Sequence, residues 1–288
     1  MELKNPWEES IDGMHVLYGN LEDQYRISYK PDIVYAEKDG TKLHLQMLVM
    51  RDPIKTKKYP LILYITGSGW QTQERFDRLP QLVDFAREGY LVASMEYRNT
   101  DNGFQFPSQI EDAESAVLFL KKHAEDYQID TERIAIWGDS SGAHTAVMTA
   151  LIDNQELGLK CVVDFFGPVD FNILNDWPTT FKTCLGSWGK GEPINLFFGG
   201  DKSKNDEILK QASPLTYISK GKKIPPFLII HGDHDNTVHI HHSIELYQKL
   251  KENCYQAEFY VVRNAAHGYQ FWTSEILSVV KRFFNAYL

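Results

Sequence analysis

One serine of this sequence lies in a setting that favours nucleophilic chemistry. Ser140 is the centre of Gly138–Gly142, which has the spacing Gly-x-Ser-x-Gly and directly follows an apolar run. This spacing is typical of a sharp strand-to-helix turn, because the glycines let neighbouring elements approach closely and the turn exposes the serine hydroxyl. An ordinary helix N-cap at Ser140 or Asp139 is the alternative that this segment alone leaves open.

A candidate acid and a candidate base follow the serine along the chain. A serine hydroxyl becomes a nucleophile when an imidazole accepts its proton, and a carboxylate orients that imidazole. Asp235 comes shortly after the apolar run 227–230, and His267 comes after the run 257–262. This is the order, acid and then histidine, expected at later strand ends of a parallel sheet. The sequence therefore predicts Ser140 as nucleophile, His267 as base and Asp235 as the orienting acid.

The choice of acid has one alternative in the same loop. Asp233 lies two residues before Asp235 and belongs to the segment His231–Val238. We favour Asp235 because it lies further from the strand end and has room to point back towards a histidine. Asp233 is expected to cap the turn.

No metal or cofactor is predicted. His239, His241 and His242 have the spacing His-x-His-His, but neighbours at this spacing rarely converge on one ion without an acidic or cysteine partner. We interpret them as solvated residues at the start of a helix. The sequence also has no Gly-x-Gly-x-x-Gly after its first strand and no phosphate-binding loop.

Acyl transfer also needs hydrogen-bond donors where negative charge develops on the substrate oxygen. The backbone N–H of Ser141 can supply one donor. The segment Thr66–Trp70, which follows the apolar run 61–65, contains two glycines that allow a curve with its N–H groups turned inward. An ordinary glycine-rich loop is the alternative interpretation of that segment.

The elements that would position these residues follow an alternating pattern. Two apolar runs, 32–37 and 42–50, flank Asp39-Gly40 and predict a hairpin. Further strands are predicted at 61–66, 90–97, 133–138, 161–167, 227–232 and 257–262, with helices at 79–87, 110–123, 140–151, 244–253 and 274–287. Such alternation predicts an α/β fold: a mostly parallel twisted sheet with an antiparallel N-terminal edge and helices on both faces.

Two segments depart from this alternation. Residues 1–30 have no clear period and are expected to form an arm over a single domain of residues 1–288. Residues 171–212 contain several aromatic residues and glycines but no obvious strand, which favours a lid-like insertion. Substrate specificity is expected to depend on this insertion and on Trp70, Tyr269 and Trp272.

The bulk properties exclude several classes of function. A net charge of −9 without a basic cluster argues against nucleic acid as a partner. No apolar stretch is long enough for a membrane helix and no leader is evident, so no membrane association is expected. The three cysteines lack a CxxC pair, which favours a reducing, cytoplasmic location. The expected partner is a small-molecule ester, and the protein is expected to be a monomer or homodimer.

Six motifs together resemble the hormone-sensitive-lipase-like and acetyl-esterase-like α/β-hydrolases, in particular the small esterases that include feruloyl and acetylxylan esterases. The similarity covers residues 32–288 and depends on TGSGW, YRNT with FPSQIEDAESAV, RIAIWGDSSGAH, ASPLTYI, HGDHDNTV and NAAHGY. The resemblance implies the same nucleophile, base and acid, and oxyanion donors from the amides of Ser68, Gly69 and Ser141. The family usually has His-Gly-Gly-Gly in the oxyanion loop, where this chain has Thr66-Gly67-Ser68-Gly69.

The function that these observations predict is a serine carboxylesterase. Its expected substrates are short acyl esters, from acetyl to butyryl, with acylated carbohydrates or hydroxycinnamoyl esters as further possibilities, cleaved through an acyl-enzyme. A prolyl-oligopeptidase-like peptidase is one alternative, because HGDHDNTV also resembles the acid loop of that family. A non-catalytic binding protein on the same scaffold is the other.

Overall fold

A single sheet organises the described part of the chain, which in this computed structural model comprises residues 13–15, 27–51, 57–152, 154–171, 193–200 and 206–288. Its spatial order is β1-β2-β4-β3-β5-β6-β7-β8. The strands are β1 (Ile27–Lys38), β2 (Thr41–Met50), β3 (Tyr59–Ile65), β4 (Leu91–Met95), β5 (Ile129–Asp139), β6 (Cys161–Phe165), β7 (Phe227–Gly232) and β8 (Ala257–Val262). β1, β2 and β4 pair antiparallel, and all later pairings are parallel.

Helices connect the parallel strands. They are α1 (Leu79–Arg87), α2 (Ser108–Lys122), α3 (Ala124–Tyr127), α4 (Ser141–Ile152), α5 (Asn154–Leu157), α6 (Pro193–Phe198), α7 (Asp206–Ala212), α8 (His241–Glu252) and α9 (Ser274–Tyr287). None of those in the described ranges combines the length and the hydropathy of a membrane-spanning segment.

The two faces of the sheet carry separate cores. On β3, Leu61, Leu63 and Ile65 face one core, while Ile62 and Tyr64 face the other. The first core packs against α2, α4 and α8, and the second packs against α1 and α9. Because both faces are covered, the central strands consist mainly of buried apolar residues. The predicted α/β fold, with a mostly parallel sheet and an antiparallel N-terminal edge, is confirmed.

The hairpin between β1 and β2 turns at the predicted dipeptide. Asp39 has φ of 50° and Gly40 has φ of 74°. Two consecutive positive φ angles are what a tight turn between twisted antiparallel strands requires.

Several element boundaries differ from the sequence prediction, among them those of β1 and α8. β1 begins at Ile27, so the last residues of the predicted arm 1–30 belong to the sheet, and α8 begins at His241 instead of residue 244. The described parts of the predicted insertion 171–212 are Phe171, residues 193–200 and residues 206–212, which contain α6 and α7. Residues 1–12, 16–26, 172–192 and 201–205 lie outside the described residues.

The backbones of α4 and β3 approach each other closely at Gly142. A Cβ atom on Gly142 would overlap the carbonyl oxygen of Ile65. We expect Gly142→Ala to lower the free energy of unfolding by roughly 3 kcal/mol or more, because two backbone segments would have to separate. Urea denaturation of the purified variant measures this change.

Gly89→Ala is the matched control. Gly89 has φ of +97° but open space around its Cβ position, so only a backbone penalty of about 1–2 kcal/mol is expected there. Equal losses in the two variants would contradict the packing explanation.

Candidate active site

Ser140 occupies a strained turn between β5 and α4. Its φ is 53°, an unusual value for a residue with a Cβ atom. The turn is held by hydrogen bonds from Ser140 N to Phe165 O (2.8 Å) and from His144 N to Ser140 O (3.0 Å). A Cβ on Gly138 would overlap the backbone of Gly142, so the flanking glycines are required by packing. The side chain of Ser140 therefore lies at the N-terminus of α4, at the carboxyl edge of the sheet.

The three residues predicted to carry the chemistry lie in one hydrogen-bonded row. His267 Nε2 is 3.0 Å from Ser140 Oγ, and His267 Nδ1 is 2.7 Å from Asp235 Oδ2. Because a carboxylate only accepts, Nδ1 carries the proton and Nε2 is free to accept from the serine hydroxyl. In the sequence, His267 is separated from Ser140 by 127 positions and from Asp235 by 32 positions, so the tertiary structure brings the three together.

The carboxylate of Asp235 is buried and fully engaged. Its Oδ1 accepts from the backbone N–H of Thr237 (2.8 Å) and Val238 (2.9 Å). Burial by itself raises the pKa of Asp235, but the hydrogen bonds from His231 and His267 outweigh it and hold the pKa well below its usual range. Asp235 is therefore a carboxylate at neutral pH.

His231 is a second imidazole against this acid, and sequence reasoning missed it. Its Nε2 is 2.8 Å from Val238 O and 3.3 Å from Asp235 Oδ2, both of which can only accept from it. Nε2 therefore carries the proton, and Nδ1 lies 2.6 Å from Ser243 Oγ. The His-Gly pair at the end of β7 was the only signal in the sequence that could have pointed to it.

Asp233, the alternative acid, points elsewhere. Its Oδ1 accepts from the backbone N–H of Asn264 (2.6 Å) and lies 2.7 Å from His234 Nδ1. Its Oδ2 lies 3.1 Å from the Arg263 guanidinium. The Asp233 side chain therefore links the loop after β7 to the loop after β8, and none of these bonds involves His267.

The loop Thr66–Trp70 lies beside Ser140, as expected for an oxyanion loop, but one of its predicted donors is engaged. The Ser68 N–H donates to Ser141 Oγ at 2.9 Å. The Ser68 amide, predicted as an oxyanion donor, is thus bonded to a side chain from α4 in this structure. Gly69 has φ of 65°, and its amide and that of Ser141 have no hydrogen-bond acceptor among the described residues.

Asp139 contributes more than a helix cap. Its Oδ1 accepts from the Gly67 N–H (2.9 Å) and from the Tyr64 hydroxyl (2.5 Å), and Arg78 Nη2 lies 3.9 Å from its Oδ2. A Cβ on Gly67 would overlap the Asp139 carbonyl oxygen. This carboxylate therefore joins the oxyanion loop to the serine turn.

The predicted specificity residues lie in three different environments. A cleft of about 280 Å³ contains Ser140 and His267 and is bordered by Trp70 and Tyr269. Tyr269 is 74% exposed, with the Arg78 guanidinium 4.8 Å from its ring centre. Trp70 is buried, and its ring stacks on Phe197 at 4.0 Å.

Trp272 does not line this cleft. Its ring packs against Tyr64, Trp137 and Phe165 in the core formed with α1 and α9. The expectation that Trp272 contacts substrate is therefore corrected: the turn Tyr269–Phe271 places it on the inner side, where burial of its ring is favourable.

His144, one helical turn after Ser140, is a buried histidine that sequence reasoning missed. Its Nε2 donates to Ala212 O at 2.8 Å, and its ring lies edge-on to Trp70. Burial lowers the pKa of His144 to about 4, so the ring is neutral near neutral pH. It fills the wall between α4 and α7.

No group of three or more potential ligand side chains within the described ranges is arranged to hold a metal ion. His242, one of the three clustered histidines, is buried, and its Nδ1 accepts from the backbone N–H of Val169 (3.3 Å). The interpretation of all three as solvated is therefore corrected for His242, which bridges α8 to the segment after β6.

Together, the parallel sheet, the strained serine turn and the acid–histidine–serine row define an α/β-hydrolase fold. Comparison with known proteins agrees with this class. The BD-FAE family matches residues 48–250 of the chain. The chain belongs to the BD-FAE family, and the predicted resemblance to hydrolase-fold esterases is confirmed.

Two curated relatives are each 26% identical. The probable carboxylic ester hydrolase LipM of Mycobacterium tuberculosis aligns over 232 residues, 77% of this chain and 51% of LipM, so the chain spans about half the length of that relative. The uncharacterized peptidase YtmA of Bacillus subtilis aligns over 210 residues, 71% of this chain and 74% of YtmA.

Among solved structures, a truncated form of a carbohydrate esterase from gut microbiota superposes with a TM-score of 0.76 at 22% identity. The superposition covers 91% of this chain and 97% of that one. It shows that the fold is shared.

The buried, neutral His144 predicts a loss of stability in acid. Its pKa is 6.5 when unfolded and about 4 when folded, so folding opposes its protonation. The stability that His144 contributes is complete above its unfolded pKa and is lost as the pH falls towards its folded pKa. Between about pH 7 and pH 5 the wild type should lose about 2 kcal/mol more unfolding free energy than His144→Gln.

Urea denaturation of both proteins at the two pH values measures this difference. His242, whose pKa burial lowers to about 3, is present in both proteins, so its contribution cancels. Parallel pH dependence in the two proteins would contradict the assignment.

Proposed function

We propose that this protein is a serine carboxylesterase that hydrolyses short-chain acyl esters through an acyl-enzyme. The observation that carries the proposal is the row in which His267 lies 3.0 Å from Ser140 and 2.7 Å from Asp235, open to a cleft. The name of LipM, a probable carboxylic ester hydrolase, supports ester substrates.

In the first half of the reaction, Ser140 Oγ attacks the ester carbonyl carbon while His267 Nε2 accepts its proton. Asp235 stabilises the imidazolium that forms, because its carboxylate is already ionised and bonded to Nδ1. The imidazolium then gives the proton to the leaving alkoxide, and the alcohol departs. In the second half, a water attacks the acyl carbon while His267 Nε2 takes its proton. The bond from the acyl carbon to Ser140 Oγ then breaks, Oγ receives the proton from His267, and the carboxylic acid leaves.

The negative charge on the tetrahedral intermediate is bound by backbone amides. We assign this role to the N–H groups of Gly69 and Ser141, the two predicted donors that are not already engaged. Ser141 is the first residue of α4, so the positive end of that helix lies at the same point.

The size of the cleft favours a small acyl group. Its volume is about 280 Å³, at the lower end for ligand pockets. Trp70 is held in its wall by the stack on Phe197, and Pro193 approaches Gly69 closely, with its Cβ 3.1 Å from the Gly69 Cβ position. Acetyl to butyryl groups are small enough to be accommodated in such a space.

The alcohol side favours a polar group. A second cavity of about 730 Å³ shares Gly67 and Ser68 with the cleft and is bordered by Gln71, Glu74 and Asp101. These side chains can hydrogen-bond hydroxyl groups, which supports acylated carbohydrates as substrates. Hydroxycinnamoyl esters of sugars present the same kind of alcohol and are the next class to test.

Peptide hydrolysis is the second candidate function. The name of YtmA, an uncharacterized peptidase that this chain covers over 74% of its length, favours it. The same row of residues would serve acyl transfer from an amide. A non-catalytic role is the third alternative, and loss of the serine separates it from both.

We also propose a cytoplasmic location. The described cysteines, Cys161 and Cys254, are both free thiols, as a reducing compartment would keep them.

The first test is hydrolysis of p-nitrophenyl esters of increasing chain length by the wild type and Ser140→Ala. We expect kcat/KM to peak between acetate and butyrate and to fall by at least about 10⁴-fold in the variant, because the nucleophile is removed. Faster cleavage of a proline p-nitroanilide than of a matched ester would favour the peptidase. Equal rates in wild type and Ser140→Ala would contradict both activities.

The second test separates the two candidate acids. Asp235→Asn should lower kcat by about 10⁴-fold, because the amide cannot hold His267 in the required tautomer. Asp233→Asn, two residues away, should change kcat by no more than about twofold, because the amide oxygen can still accept from the Asn264 N–H and none of the Asp233 bonds involves His267. Steady-state kinetics at neutral pH measure both, and a larger effect at Asp233 would reverse the assignment.

A further inference from the structure

Three hydroxyl-bearing side chains meet beneath the oxyanion loop. The Tyr97 hydroxyl, at the end of the segment that follows β4, lies 3.1 Å from Ser68 Oγ and 3.4 Å from Thr66 O. Ser68 Oγ is 2.7 Å from Gln71 O, and Ser68 N is 2.9 Å from Ser141 Oγ. Ser68 is thus bonded from three sides.

The directions of these bonds follow from counting protons. Gln71 O is a carbonyl and can only accept, so Ser68 Oγ uses its single proton there. Ser68 Oγ can then only accept from Tyr97, whose single proton is shared between Ser68 Oγ at 3.1 Å and the more distant Thr66 O at 3.4 Å. Tyr97 is completely buried, and burial raises its pKa to about 12, so the hydroxyl keeps its proton.

These bonds act on the part of the loop whose conformation is most strained. Gly69 has φ of 65° and Trp70 has φ of 59°, so two successive residues adopt left-handed conformations directly after Ser68. The hydrogen bond from Ser68 Oγ to the backbone carbonyl of Gln71 closes this turn. The hydrogen bond from the Ser68 N–H to Ser141 Oγ attaches the turn to the first residue of α4. The Thr66 hydroxyl is buried without a partner among the described residues and so contributes no such bond.

We propose that Tyr97 is a positioning residue for acyl transfer, which acts through Ser68 and Ser141 to fix the oxyanion loop so that the Gly69 N–H points at the substrate oxygen. This inference rests on the proposed function. It assigns Ser68 to the support of the loop and leaves the binding of the oxyanion to Gly69 and Ser141. The chain thereby holds its Thr-Gly-Ser-Gly loop through hydroxyl groups.

Tyr97→Phe removes only the hydroxyl and tests the proposal. We expect kcat for a short-chain ester to fall about 10-fold at unchanged KM, less than for direct loss of an oxyanion donor, because Tyr97 acts through Ser68. A fall in kcat at unchanged KM distinguishes the positioning of a transition-state donor from a general weakening of the fold.

Tyr90→Phe is the matched control. Tyr90 is also buried, lies directly before β4 at the amino edge of the sheet, opposite the edge that carries Ser140, and its hydroxyl donates to Asn285 Oδ1 on α9. Both variants should lose similar thermal stability, but Tyr90→Phe should keep the wild-type kcat within about twofold. Equal kcat losses in the two variants would overturn the proposal.

A double-mutant cycle tests the route through Ser68. Ser68→Ala breaks the same series of bonds, so the double variant Tyr97→Phe/Ser68→Ala should be no slower than the slower single variant. If the fold-losses in kcat of the two single variants multiply in the double variant, Tyr97 acts by another route, and this part of the inference is overturned.

Phosphorylation of Ser140 by an organophosphate tests the role of Tyr97 without requiring that the protein hydrolyse esters. Ser140 Oγ attacks phosphorus of diethyl p-nitrophenyl phosphate, p-nitrophenolate leaves and His267 takes the serine proton, while the phosphoryl oxygen occupies the oxyanion position. Tyr97→Phe should slow this reaction by about the same 10-fold factor. If the wild type is phosphorylated but cleaves no ester, the proposed function fails while this comparison still decides the role of Tyr97. An unchanged phosphorylation rate in Tyr97→Phe, or no reaction in the wild type, overturns the inference.

Discussion

The strained turn at Ser140 is the constraint on which the rest of the site depends. A residue with a Cβ atom is held at φ of 53° because β5 must end and α4 must begin within one residue. This geometry is possible only where Gly138 and Gly142 let the backbone of α4 lie against β3 and β5. The strain is offset by the packing of α4, which is buried along almost its whole length.

Once the serine is placed, electrostatics determine the state of its partners. A buried carboxylate is costly unless hydrogen bonds satisfy it, and Asp235 receives two from backbone amides and two from imidazoles. These bonds keep it ionised despite its burial, which in turn holds the proton of His267 on Nδ1. His231 is therefore part of the environment of the acid, although it lies away from the serine.

The loop Thr66–Trp70 is held by side chains that are distant from it in the sequence. In this chain an aspartate, two serines and a tyrosine hold the loop through the Gly67 N–H, the Ser68 N–H and Ser68 Oγ. These contacts come from the end of β5, from the segment after β4, from the first residue of α4 and from the loop itself. The loop is thus held in place by side chains brought to it by the fold.

The sequence by itself determined the features that depend on local pattern. Alternating apolar runs and amphipathic stretches predicted the parallel sheet, and Asp39-Gly40 predicted the edge hairpin, because both follow from neighbouring residues. The order of Ser140, Asp235 and His267 at strand ends predicted that they would meet, since parallel strands end at one edge. Only the tertiary structure decided which long-range partner each polar or aromatic group takes. The Ser68 amide bonds to a residue 73 positions away, and Trp272 packs in a core instead of the cleft. Such outcomes depend on which buried surfaces and acceptors come into contact, and local sequence carries no record of them.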